Sequence, residues 1–138
     1  MRRSRRTHIA TSLFAIAQLG ASVADAQTAV TVPARTAWFD TGVDVVAGQR
    51  LSIPATGQWS TGGTNPQTVS ADGWATISVP TLLAPRLPLG ALVGRIGRRA
   101  FLVGAHYQGR PAVGGRLFLS MNDTQEGFGD NQGSLHVA

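Results

Sequence analysis

Residues Ser120 to Ala138, SMNDTQEGFGDNQGSLHVA, crowd seven carboxylate or carboxamide side chains and three glycines between two strand-like pieces. A hard cation such as calcium takes about six to eight oxygen ligands, and a chain supplies these most compactly from Asp, Asn and backbone carbonyls on a tight loop. Asp123 and Asp130, with Asn131 beside the second, meet that requirement. Gly127 and Gly129 between them are expected to take positive φ, turn the loop back and aim carbonyls inward. Two clustered carboxylates repel unless a cation or a shared proton lies between them. The same residue types also make ordinary surface hairpins, so the loop is either a metal site or a plain turn. It is not an EF-hand: the twelfth position from Asp123 is Ser134, where that motif needs a bidentate glutamate.

Hydrolytic chemistry finds less support. After residue 26 the chain carries only His106 and His136, both expected on the surface, and nothing places either beside a nucleophile and an orienting acid. Asp123 and Asp130 would pass as a glycosidase pair on chemistry alone, but a small domain without a cleft argues against it, and the chain is read as non-enzymatic. Trp59 and Trp74 offer either core packing or a face for a sugar ring.

The elements that must position this loop read as strands. Brief β-type runs separated by glycine and proline recur along the chain: TAWFDTG, VDVVAG, QRLSIPA, ALVGRIG, AFLVG, RLFLSM and SLHV. Leu117, Leu119 and Met121 fall on one face of a strand, and Leu135 and Val137 on one face of the next. With no helical periodicity of useful length, the fold class is all-β, a small antiparallel β-sandwich of jelly-roll-like, galactose-binding-domain-like type. QTAVTVPAR reads as a polar lead and Ser60–Gly73 as a long loop. The three prolines of TISVPTLLAPRLPLG predict a packed irregular connection. The acidic loop is expected to join two adjacent strands.

At the N-terminus, MRRSRR, a short apolar stretch and ADAQ give the pattern of a secretory signal peptide over residues 1–26, cleaved after Ala26. The expectation is a secreted or periplasmic protein with one domain over residues 27–138 and no membrane span in the mature chain. Removing Arg2, Arg3, Arg5, Arg6 and Asp25 leaves eight arginines against six carboxylates, a charge of +2 in place of +5. The basic balance therefore mostly disappears, and with it a composition-based case for nucleic acid. The chain has no cysteine, so an exported domain of this size must hold its loops by packing or by a metal.

GALVGRIG (Gly90–Gly97), FLVG (Phe101–Gly104), GRLFLSMND (Gly115–Asp123) and FGDNQGSLHV (Phe128–Val137) together resemble the C-terminal half of the LecA-like (PA-IL-like), calcium-dependent galactophilic bacterial lectins. TGVDVVAGQRLSIPATGQWS is similar to that family's N-terminal strands. The resemblance implies Asp123, Asp130 and Asn131 as side-chain calcium ligands, the backbone carbonyls of Gly127 and Thr61 completing the set. It also implies that neighbouring hydroxyls of galactose or another vicinal-diol sugar join the coordination, beside Asp123, Thr124 and Asp130, and it is compatible with a homo-oligomer. Where the family's galactose lectins carry a His-Pro-x-Gln stretch, this chain has Ile77–Pro80, ISVP, which implies a relaxed preference among such sugars. The other implied reading is a structural or envelope-associated sandwich in which calcium only staples the C-terminal loop.

Overall fold

The computed structural model describes residues 27–138; the signal-peptide reading falls on residues 1–26, outside the described residues. Ten strands form two antiparallel sheets. The first sheet is built around β10 (Gln132–Val137). It pairs on one side with β1 (Val30–Pro33), and on the other with β3 (Leu51–Thr56) and β4 (Trp59–Ser60). β5 (Thr68–Val69) extends the sheet beyond β4, and β8 (His106–Gly109) extends it beyond β3. The second sheet runs β2 (Phe39–Val45), β9 (Gly115–Met121), β6 (Leu92–Ile96) and β7 (Arg99–Leu102).

Alternation in these strands fills the space between the sheets. Val32, Ile53, Ala55, Trp59, Leu135 and Val137 come from the first sheet, and Val45, Leu92, Ile96, Leu117, Leu119 and Met121 from the second. Trp59 is 1% exposed, and its indole N–H donates to the Gly90 carbonyl at 2.8 Å, which satisfies the one polar atom it brings into the core. It therefore has no face free for a sugar ring. Trp74 is half-buried against Gly90.

The structure corrects the sequence reading in several places. The polar lead contains β1, which the N-terminal half of the pattern hides because only Val30 and Val32 alternate. The long segment after Ser60 carries β5, two residues long. β9 and β10 are not adjacent strands: they lie in opposite sheets, so the acidic loop crosses the edge of the sandwich. Gly127 and Gly129 do not have positive φ, because the loop turns as a 3-10 helix, Gln125–Asp130.

The proline-rich stretch is a packed irregular connection, as its prolines predict. Leu82 and Ala84 are buried, and Leu83, Leu87 and Leu89 are half-buried. Asn122, fully buried, holds it in place. Its Oδ1 accepts from the Ala84 N–H at 2.9 Å, and its Nδ2 donates to the carbonyls of Ala84, Leu87 and Pro88, each at 3.0 Å. On the outer face of the second sheet the Arg95 guanidinium lies between Trp38, 4.6 Å from the ring centroid, and Phe118, at 5.0 Å. Trp38 has φ +50°, a left-handed conformation that costs roughly 1–2 kcal/mol, and a cation–π contact of this kind offsets a comparable amount.

Strand direction gives the sandwich two distinct ends. Met121 pairs with Leu92 next to the acidic loop, whereas Leu117 pairs with Ile96 next to the β6–β7 turn. Among the described residues no helix is long and apolar enough to cross a membrane.

Candidate functional site

The site residues converge through register. Ser60 pairs with Gln132, which carries Thr61 opposite Asn131 and Gly62 toward Asp130. Gly62 has φ +73°, its N–H donates to Ser60 Oγ at 3.1 Å, and a Cβ there would lie 2.8 Å from Asp130 Cγ and closer still to the Asp130 carbonyl. Only glycine lets the two loops approach in this way. Asp123 follows β9 directly, and the 3-10 helix returns the chain over it: a Cβ on Gly127 would sit 2.7 and 2.9 Å from the two Asp123 carboxylate oxygens. Glycine at 127 thus serves close approach and not a special backbone conformation.

Asp123 is 7% exposed. Its Oδ1 accepts from the Thr124 N–H at 2.7 Å and its main-chain carbonyl accepts from the Leu83 N–H at 3.0 Å, while Oδ2 is buried with no donor. Asn131 is fully buried. Its Nδ2 donates to the Ala34 carbonyl at 3.0 Å, and since that carbonyl can only accept, the amide orientation is fixed with Oδ1 on the other side. That Oδ1 is likewise buried and without a donor. Leaving a buried acceptor unpaired costs about 1–3 kcal/mol, more when it is charged, so two such oxygens on one loop call for a cation or a donor to complete them.

The chain from Ala34 to Arg35 clamps the loop from behind. The Ala34 N–H donates to the Gly133 carbonyl at 3.0 Å, and Arg35 Nε donates to the Asn131 carbonyl at 2.8 Å. Asp130 keeps an exposed carboxylate at the rim, and Thr124, bridged to Leu82, occupies the other side with its hydroxyl against Gly127. The same bridge joins the loop to the flanking segment that includes Ile77 and Val79, 42% and 39% exposed, with exposed Thr76, Ser78 and Thr81 among them. The described residues contain no group of three or more His, Cys, Asp or Glu side chains suited to a metal. Any ion here depends on two carboxylates, an amide and main-chain carbonyls, an all-oxygen set that suits a hard cation and disfavours zinc.

His106 and His136 stand apart from this loop, exposed on β8 and β10, with Ser52 Oγ 3.2 Å from one and Thr31 Oγ1 3.4 Å from the other. Sequence reasoning missed Ala34, Arg35, Gly62, Leu83 and Asn122. Only Gly62, in the TGG turn, and Asn122, next to Asp123, carried any signal.

A solved structure with this architecture is the N-terminal domain of EclA, described as a PllA-like lectin. It is 29% identical to this chain, superposes with a TM-score of 0.65, and the alignment covers 80% of this chain and 92% of that one. The fold is that of a lectin domain. No family model and no curated protein matches the chain. The likeness supports a lectin, a non-enzymatic kind of protein, without singling out the LecA-like branch.

Proposed function

We propose that this chain is an exported, calcium-dependent carbohydrate-binding domain whose metal and sugar share the loop from Asp123 to Asn131. The observation that carries the reading is the pair of buried, donorless oxygens, Asp123 Oδ2 and Asn131 Oδ1, on the loop of a lectin fold. Asp123, Asn131 and Asp130 would hold the ion through side chains, and Thr61 and Gly127 through carbonyls. Bound calcium supplies open coordination positions for two neighbouring sugar hydroxyls. The protein's own part is to fix the oxygens beforehand through the Ala34–Arg35 clamp and to present Asp130 and the Thr124 hydroxyl to the remaining hydroxyls.

Gly127→Ala tests whether the Asp123 carboxylate is the anchor. The backbone tolerates alanine, but its methyl would displace the carboxylate, so calcium affinity by isothermal titration should fall about 10- to 100-fold with the fold retained. An unchanged Kd would remove Asp123 from the ligand set.

Specificity follows from the flank. Discrimination among sugars comes from side chains that pair each hydroxyl and leave groups unpaired when the wrong epimer enters. Exposed Ile77 and Val79 offer no such pairing. Galactose and its single-hydroxyl epimers should therefore bind the calcium-loaded domain weakly and within about tenfold of one another. Tight, galactose-restricted binding would mean that another segment, such as Thr61–Gln67, supplies the contacts. The apolar Ile77 and Val79 also favour a second reading, a sandwich whose calcium is structural only. Calcium binding without any response to a panel of vicinal-diol sugars would establish it.

A further inference from the structure

Of the eight arginines in residues 27–138, four gather at the end of the sandwich opposite the acidic loop. Arg50 precedes β3, whose Leu51 pairs with Gly109, so Arg110 stands beside it and both line one surface cavity. Arg98 and Arg99 sit at the β6–β7 turn, and Arg99 and Arg110 line a second cavity of about 280 Å³ together with Phe101 and Tyr107. All four arginines are exposed. The ion pairs of the described residues are those of Arg116 with Asp40 and Asp44, so none of the four has a carboxylate of the described residues within 4.0 Å. Asp123, Glu126 and Asp130 occupy the other end. Arg35 and Arg86 also stand near that end, and Asp44 near the arginine end is paired with Arg116, so what distinguishes the arginine end is its concentration of unpaired positive charge.

Apolar side chains stand among these arginines. Val46 is 65% exposed in the β2–β3 turn and Val113 is 41% exposed in the β8–β9 loop. The two loops are joined: the Gly48 N–H donates to the Pro111 carbonyl at 2.7 Å, and Gly114 packs on the Val45–Ala47 backbone, where a Cβ would come 2.9 Å from the Val45 carbonyl. Arg110 Nη1 donates to the Gly48 carbonyl at 3.2 Å, which steadies the guanidinium and leaves its other donors free. A soluble polyanion would satisfy the arginines and leave both valines in water. A bilayer interface offers phosphates to the guanidinium forks and an acyl boundary to the valines.

We propose that this arginine-rich end docks the domain onto the phosphate-bearing surface of an anionic lipid bilayer. Docked so, the molecule presents its acidic loop away from the lipid. The test is sedimentation with vesicles of phosphatidylcholine alone and of phosphatidylcholine mixed with phosphatidylglycerol, in chelator and without sugar, so that its outcome is independent of the calcium reading. Residues 27–138, which hold both sheets and the whole core, are measured beside the full chain, since Arg2, Arg3, Arg5 and Arg6 bring charge of their own. Residues 27–138 should sediment with the anionic vesicles only, and each of Arg50→Gln, Arg98→Gln, Arg99→Gln and Arg110→Gln should weaken binding about fivefold. The four combined should abolish it while leaving the thermal melt unchanged, and Val46→Ser with Val113→Ser should weaken whatever binding persists in raised salt. Absence of sedimentation with anionic vesicles, or equal sedimentation of the fourfold variant, overturns the proposal. Retention on immobilised heparin without vesicle binding also overturns it and assigns this end to a soluble polyanion.

Discussion

Removing calcium should lower the stability of residues 27–138 by ~2.7 kcal/mol relative to a hundredfold excess over Kd, because an ion bound by the folded state alone stabilises it by RT ln(1 + [L]/Kd). For a domain of this size that is a fall in Tm of roughly 10 °C. The sign follows from the loop: Asp123 Oδ2 and Asn131 Oδ1 are buried without donors, so the metal-free state carries their desolvation uncompensated. Asp123→Ala should abolish both the calcium response and sugar binding. It also deletes one donorless oxygen, so in chelator the variant should melt close to the parent. Calorimetry of both proteins with and without chelator decides the matter. A parent melt that ignores chelator would remove the metal from the account, and sugar binding that persists in the variant would move the lectin site elsewhere.

The second large effect should come from Asn122→Ala, outside the ligand set. The substitution orphans the Ala84 N–H and the Leu87 carbonyl, and takes one of two donors from the carbonyls of Ala84 and Pro88, which keep the N–H groups of Leu87 and Ala91. At about 1–3 kcal/mol for each buried group, and less for those water can reach, the expected loss is ~4 kcal/mol. Urea denaturation should show a lower midpoint. A loss below ~1 kcal/mol would mean that the proline-rich connection is held by its leucines and not by this amide.

Strong alternation made β9 and β10 legible in the sequence, since Leu117, Leu119, Met121, Leu135 and Val137 repeat with period two and all are buried. β4 and β5 were not, because two residues carry no period, and β8 is a polar edge strand with three exposed or half-exposed side chains before Gly109. The oxygen-rich composition of the acidic loop was legible, yet its path between sheets could not be read from residues that are adjacent in sequence. The Ala34–Arg35 clamp is a contact of main-chain carbonyls and side chains 96 and 97 residues apart, which leaves no local signature. Glycine misled in an instructive way. Gly62 and Gly127 are both essential to the geometry, one for its positive φ and the other for the space a methyl would take.

The central place of β10 has a kinetic consequence. Its partners β1, β3 and β4 come from the first part of the described chain, so every rung of its ladder closes a loop of about seventy residues or more. Such non-local pairing folds slowly, on a scale of roughly milliseconds to seconds. Asn131 and Thr61 become neighbours only when that ladder forms, so the proposed oxygen ligands come together only through long-range pairing. An ion held by those oxygens would meet its full ligand set only once the ladder is in place, and would then slow unfolding more than it hastens folding.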